Sequence, residues 1–175
     1  MAGEQPSRQR YLVRSDHGMG ALWWWITAGS AAEITATFAE VEVIDDPATA
    51  RMVESWSLDE LDIADAVSGP LTDLYQKREQ QRQDPAFGKL LGKNRVYLRL
   101  PDPEEPATWW LTEHDSAGRR LRQVELQPDG TAVASSVADW PMNPPFDLGD
   151  PQFASNEISR DEFERAWERA TRDGE

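Results

Sequence analysis

The sequence predicts an α+β protein in which helices pack on a mainly antiparallel sheet. Three observations predict this class. Apolar residues alternate along several short segments, two S-x-x-E sequences open segments of helical periodicity, and turn sequences such as QPDGT at 127–131 separate extended runs. The chain has 175 residues and no cysteine, so it is long enough to bury a core without disulfides.

The first two predicted strands are RYLVRSD at 10–16 and ALWWWITA at 21–28, joined by a turn that contains two glycines. Alternation places Trp23 and Trp25 on one face of the second strand and Trp24 on the other, so both faces are apolar. A strand that is apolar on both faces is typical of the centre of a sheet covered on both sides. We therefore expect this run of tryptophans to belong mainly to the core.

Helices and strands alternate through the rest of the N-terminal half. Ser30 and Glu33 form an S-x-x-E capping box that begins a helix, and Asp46 followed by proline is typical of the start of another. The predicted elements after the first two strands are a helix from 30, strands at 40–45 and 96–100, and helices at 45–56 and 69–83. This order fits a βαβ unit and also fits helices laid over an antiparallel sheet.

The C-terminal half is predicted to be a three-strand antiparallel meander followed by a helix. PDPEEPA at 101–107 contains three prolines and three acids, so it is the predicted connection between halves at 1–100 and 108–175, with one continuous domain as the alternative. The turns DSAG and PDG separate the strands of the meander. Four prolines at 139–153 predict a surface loop, and Ser159 with Glu162 predicts the start of the last helix.

Three motifs of the C-terminal third form a recognisable pattern: E-x-D-x-x-G, R-x-V-E-x-x-x-D-G and E-I-S-R-D-E-F-E-R-A-W. Their residues are Glu113, Asp115, Gly118, Arg122, Val124, Glu125, Asp129, Gly130, Glu157, Ile158, Ser159, Glu162, Phe163 and Trp167. Over 107–170 the chain resembles an uncharacterised family of small bacterial domains of unknown function, and its N-terminal half is similar to actinobacterial proteins of unknown function. The resemblance implies a bacterial α+β protein and brings no activity. Some relatives resemble immunity or accessory proteins of polymorphic toxin systems.

The net charge of −14, from 32 acidic and 18 basic residues, indicates the class of partner. A field of this sign disfavours nucleic acids and anionic membranes and favours basic proteins. The alternative is an acidic surface that is simply solvated. No stretch approaches the roughly 18 apolar residues of a membrane span, and MAGEQPSRQR lacks a signal-peptide core. We therefore expect a cytoplasmic bacterial protein that binds neither nucleic acid nor membrane; the sequence favours no oligomeric state.

Polar candidates for a site are two histidines and an arginine cluster. His17 and His114 both lie in predicted turns with neighbouring carboxylates, but no ligand spacing such as H-E-x-x-H supports a metal site. The cluster Arg119–Arg122 has the chemistry to hold a carboxylate or phosphate, and alternation places Arg120 and Arg122 on the same face. The alternative for these arginines is cross-strand ion pairing. We predict no cofactor and no catalytic residues, because the chain lacks a G-x-S-x-G sequence and a phosphate-binding loop.

Two tryptophans complete the candidate surface. Adjacent residues of a strand face opposite sides, so Trp24 and Trp110 lie on an open face if helices cover only one side of each sheet, and in the core if both sides are covered. The leading hypothesis is a non-enzymatic protein-binding protein, immunity-like or accessory. The alternative is a small-ligand-binding or hydrolytic domain around His17, His114 and Arg119–Arg122.

Overall fold

The computed structural model describes residues 7–173, with side chains as far as Thr171. The start of the predicted half 1–100 and the end of the predicted half 108–175 therefore lie outside the described residues. The chain divides into an N-terminal unit, residues 1–83, and a C-terminal unit, residues 84–175. Each unit contains a four-stranded sheet with helices, which confirms the α+β class. The division lies upstream of 101–107. That proline-rich stretch is a loop within the C-terminal unit, because the strand before it pairs with the strand after it.

The N-terminal unit has a mainly antiparallel sheet. Its elements are β1 (Gln9–Asp16), β2 (Ala21–Ala28), α1 (Ala31–Thr37), β3 (Glu42–Ile44), α2 (Pro47–Val53), β4 (Glu60–Asp62), α3 (Ile63–Val67) and α4 (Thr72–Gln81). The strand order is β3-β1-β2-β4; β1 is antiparallel to both its neighbours, and β4 is parallel to β2. The tight β1–β2 connection makes an antiparallel hairpin, whereas the long connection through α1 and α2 allows β4 to run parallel to β2.

Local capping signals place the helix starts of the N-terminal unit. The Ser30 hydroxyl accepts a hydrogen bond from the Glu33 backbone N–H at 3.0 Å, and the Glu33 carboxylate accepts one from the Gly29 N–H at 2.7 Å. Asp46 accepts from the backbone N–H groups of Ala48 and Thr49. Both predicted starts are therefore confirmed, because each side chain satisfies donors that the first helical turn leaves unpaired.

Both faces of β2 are covered, as its apolar composition predicts. One core consists of Val13, Trp24, Ile26, Ala28, Ile34, Phe38, Ile63, Ala66 and Leu71, contributed largely by β2, α1 and α3. The core on the other face consists of Leu12, Trp25 and Val53, with Trp23 packed against it. Trp24 and Trp25 are 6% and 8% exposed, so the tryptophan run is chiefly a core strand.

The C-terminal unit is an antiparallel meander with a helix on one face. Its elements are β5 (Arg95–Pro101), β6 (Trp109–Asp115), β7 (Arg120–Leu126), β8 (Ala132–Ser136), a 3₁₀ turn (Val137–Asp139), α5 (Pro151–Ala154) and α6 (Arg160–Asp173). The strands lie in sequence order and all pairs are antiparallel. The predicted three-strand meander is thus present as β6–β8, and β5 extends it to four strands.

The two faces of the second sheet are covered by different elements. α6 begins where Ser159 accepts a hydrogen bond from the Glu162 N–H, and it buries Phe163 and Ala170 against Leu111 and Val124. On the opposite face, the predicted surface loop at 139–153 contributes apolar residues to a core. That core is Leu90, Val96, Leu98 and Leu148, with Leu100, Phe146 and Phe153 packed against it. Of the helices formed by residues 7–173, none combines the length and apolarity that crossing a bilayer requires.

Candidate functional site

The six predicted site residues are divided between the two units. Trp24 and His17 belong to the N-terminal unit, whereas Trp110, His114, Arg120 and Arg122 belong to the C-terminal unit. The surfaces that they help to form are therefore described unit by unit.

His114 is a buried strand residue, and its prediction as a turn residue is wrong. It lies within β6 and is 0% exposed. Its Nδ1 is 3.0 Å from the Gly118 carbonyl oxygen, which only accepts, so Nδ1 carries the proton and donates. Nε2 then accepts from the Thr112 hydroxyl at 2.8 Å. Burial lowers the pKa of His114 to about 4, which keeps the ring neutral. Both nitrogens are occupied, so His114 stabilises the turn after β6.

His17 occupies the β1–β2 turn, as predicted. Its side chain is exposed, and its backbone N–H donates to the Gly20 carbonyl at 2.9 Å. Within residues 7–173, no three histidine, aspartate or glutamate side chains come together in a way that could hold a metal ion.

Arg120 and Arg122 lie on opposite faces of the sheet, so the predicted common face is wrong. The register between β6 and β7 shifts at one point: Glu113 is opposite Arg122, but His114 is opposite Arg120. Between these two pairs β6 moves on by one residue and β7 by two, so β7 contains one extra residue, which is a β-bulge. Alternation assumes a regular strand, and the bulge reverses the relation between residues on its two sides.

Arg122 is held in an ion-pair network beneath α6. Its guanidinium donates to Glu113 and, at 2.8 Å, to Glu164 of α6. It also lies 4.9 Å and 5.0 Å from the ring centroids of Phe163 and Trp167. The hydrogen bonds that Arg122 donates to Glu164 and then to Glu113 raise the pKa of Arg122 above its ordinary value. Arg122 thus joins β6, β7 and α6, and its donors are occupied within the fold.

We expect Arg122→Met to lower the free energy of unfolding of the C-terminal unit by about 2 kcal/mol, because it leaves the buried Glu113 without its closest cation. The expected cost is moderate because the Arg122 side chain is 25% exposed. Arg160→Gln is the matched control, since the exposed Arg160 reaches the same Glu164 only at 3.7 Å. It should change stability by less than about 0.5 kcal/mol in urea denaturation. Equal losses for the two variants would contradict the network.

Arg120, Gln123 and Trp140 contact one another on the opposite face through Arg120, and Trp110 lies on the same face of the sheet. We call these four residues the Arg120 cluster. Nη1 of Arg120 donates to the Gln123 side-chain oxygen, and the guanidinium carbon lies 4.0 Å from the Trp140 ring centroid. Burial lowers the pKa of Arg120. Among the residues described, no carboxylate forms an ion pair with Arg120, and the Nε of Arg120 and the indole Nε1 of Trp110 are buried donors with no acceptor.

The N-terminal unit contains an open groove beside β2. β4 pairs with β2 only from Trp25 onward, and in the preceding segment 57–59 the Asp59 carbonyl still accepts a hydrogen bond from β2. The opening has a volume of about 300 Å³. We call it the β2 groove, and it is lined by Leu22, Trp23, Trp24, Ser57, Leu58, Asp59 and Pro70.

Backbone groups of β2 face this groove. The Trp25 N–H donates to the Asp59 carbonyl at 2.9 Å, so Trp25 directs its backbone groups toward the β4 side. Alternate residues of a strand direct these groups the same way, and Trp23 therefore presents its N–H and C=O on the β4 side, before β4 begins. Within the described part of the chain, no strand pairs with Trp23 on that side. This is a short free strand edge.

The groove is bordered by exposed apolar groups and one carboxylate. Leu22 is 54% exposed and Trp56 is 44% exposed, and the Trp56 ring packs edge-on against Trp23 with centroids 5.9 Å apart. The Asp59 carboxylate makes neither an ion pair nor a side-chain hydrogen bond with any residue from 7 to 173. Trp24 contributes little surface to the groove, because it is only 6% exposed.

Sequence reasoning found the β2 tryptophans but missed Leu22, Trp56 and Asp59. Alternation places Leu22 on the face of Trp24, yet its exposure depends on where β4 begins, which no local pattern marks. Comparison of the chain with protein-family models, curated proteins and solved structures gives no match.

Proposed function

We propose that the chain is a non-enzymatic protein-binding protein that captures a basic partner through the β2 groove. The observation that carries this proposal is the combination at one place of an apolar opening, a free strand edge and the unpaired carboxylate of Asp59. Proteins recognise extended segments by adding them to a free sheet edge, with adjacent pockets selecting the side chains.

The chemistry of the groove favours a partner segment that carries lysine or arginine. The aliphatic stem of such a side chain fits the apolar walls formed by Leu22 and Leu58, and its charged end suits the Asp59 carboxylate. Trp23 adds an aromatic surface, which attracts cations. Backbone hydrogen bonds to Trp23 would then align the segment along β2.

The charge of the whole chain supports the same choice of partner. A net charge of −14 accelerates the approach of a basic protein and opposes that of a nucleic acid. Some relatives in the resembled family are similar to immunity proteins of polymorphic toxin systems. Immunity proteins neutralise another protein by binding it. We place this activity in the bacterial cytoplasm as part of the proposal.

The experiment is capture of partners from a lysate of the source cells, with the intact chain and two groove variants at low and high salt. Leu22→Lys puts a positive charge at the groove, and Asp59→Asn removes the negative one. We expect a basic protein to be retained by the wild type at low salt and lost with Leu22→Lys. Asp59→Asn should weaken its binding about tenfold, the effect of losing a charge-assisted hydrogen bond of about 1.5 kcal/mol.

Leu91→Lys is the control, because Leu91 is also 54% exposed but belongs to the C-terminal unit. It should retain the partner as the wild type does. A retained protein that is insensitive to both groove variants, or binding that is unchanged at high salt, would count against the β2 groove as the binding surface.

A further inference from the structure

Arg120 lacks the counter-charge that Arg14 and Arg122, two other partly buried arginines, have. The side chains of Arg14 and Arg122 are 16% and 25% exposed, and they pair with Glu42 at 2.7 Å and with Glu164 at 2.8 Å. The chain has 32 acidic residues, yet none forms an ion pair with Arg120 among residues 7–173. Removing a guanidinium from water without an anion costs free energy, which the Trp140 ring offsets only in part.

The unoccupied donors of Arg120 form one edge of its guanidinium. Nη1 is engaged by Gln123, which leaves the edge formed by Nε and Nη2 without a hydrogen bond to any described residue. This edge presents two parallel N–H groups, the arrangement that matches the two oxygens of a carboxylate or phosphate. Nε is covered by neighbouring atoms, so binding an anion through both donors of this edge requires the Arg120 side chain to move.

Trp110 adds a third unpaired donor on the same face. In the register of β6 and β7, Thr112 is opposite Gln123 and Trp110 is opposite Glu125, so Trp110 is a diagonal neighbour of Gln123. The indole Nε1 of Trp110 is buried and has no acceptor. Buried donors without acceptors are rare in folded proteins, because each one costs the free energy of its lost hydration. The Trp110 Nε1 and the Arg120 Nε are two such donors, and their residues are both neighbours of Gln123.

We propose that the Arg120 cluster binds an oxyanion, the carboxylate or phosphate group of a small ligand. Arg120 holds two oxygens of the group, the Trp110 indole donates to it, and Trp140 forms an aromatic wall beside the guanidinium. This site is independent of the β2 groove, which lies in the N-terminal unit. The overall negative charge opposes the approach of anions, so the affinity comes from these short-range contacts.

The test is an NMR titration of the ¹⁵N-labelled full chain with sodium phosphate, sodium acetate and sodium chloride at constant ionic strength. We expect the Trp110 indole N–H and the Arg120 Nε–H to shift saturably with phosphate or acetate but not with chloride. The Trp109 indole is the internal control, because it is 36% exposed and lies on the opposite face of β6. A response to phosphate alone or acetate alone assigns the class of ligand, and a response to both assigns a general oxyanion site.

Arg120→Met and Arg99→Met form a matched pair of variants. Arg99 also lies over a tryptophan, 4.8 Å from the Trp109 ring centroid, but it is on β5 and on the other face of the sheet. Arg120→Met should abolish the titration of Trp110, and Arg99→Met should preserve it. If Arg120→Met does not fold, Arg120→Lys keeps the charge without the two-pronged donor edge and should weaken the binding about tenfold. No response beyond chloride, or a response that survives in the Arg120 variants, would overturn the proposal.

Discussion

Gly118→Ala is expected to lower the free energy of unfolding of the C-terminal unit by about 4 kcal/mol or more, the range of the most damaging single substitutions. Gly118 has a φ of +84°, and a β-carbon there would lie 2.1 Å from the Phe146 carbonyl oxygen. Since that oxygen belongs to the backbone, the clash is relieved only if the loop moves. The Phe146 N–H donates to the Gly118 carbonyl at 2.8 Å, so movement also breaks this hydrogen bond.

The same carbonyl accepts from His114, which makes Gly118 the point where β6, the following turn and the covering loop meet. Gly130→Ala is the matched control, because Gly130 has a similar φ of +88° but the nearest atom to an added β-carbon is the Arg169 side chain at 3.8 Å. It should cost only the conformational strain, about 1 kcal/mol. Urea titration followed by amide signals of β6 and β7 measures both losses. A Gly118→Ala loss no greater than that of Gly130→Ala would contradict the close approach.

Features set by near neighbours in the chain could be predicted from the sequence. Ser30, Asp46 and Ser159 begin helices because each accepts a hydrogen bond from an N–H two or three residues ahead. The apolar faces of β2 follow from alternation alone. The family resemblance of the C-terminal third stays a prediction.

Features that depend on distant parts of the chain could not be predicted. The bulge that separates Arg120 from Arg122 arises from the pairing of β7 with β6, and alternation within β7 contains no sign of it. The burial of His114 depends on Phe146, whose ring centroid lies 4.5 Å from that of the imidazole although the two residues are 32 positions apart in the sequence. The β2 groove depends on where a three-residue strand begins its pairing with β2.

Lowering the pH from 7 toward 4 is expected to destabilise the C-terminal unit by roughly 3 kcal/mol through His114 alone. Burial lowers the pKa of the folded-state imidazole from its ordinary 6.5 to about 4, outweighing the hydrogen bond to Gly118, which acts in the opposite direction. Between pH 6.5 and about pH 4 the unfolded chain binds a proton at His114 that the folded chain does not, so the free energy of unfolding falls as the pH falls. Below about pH 4 both states are protonated and His114 contributes no further loss.

His114→Gln isolates this contribution from that of the carboxylates, which also destabilise a fold in acid. The variant loses stability at pH 7, because glutamine does not reproduce both hydrogen bonds of the ring, but its stability should decline less steeply between pH 6.5 and 4.5. His17→Gln is the control for the histidine-to-glutamine exchange, since His17 is exposed in the β1–β2 turn, and it should change stability little at pH 7. Urea denaturation across this range, followed by amide signals of β6, measures all three proteins. If the free energies of unfolding of the wild type and His114→Gln differ by the same amount at every pH, His114 binds its proton equally well in the folded and unfolded states. That result would contradict a buried neutral ring.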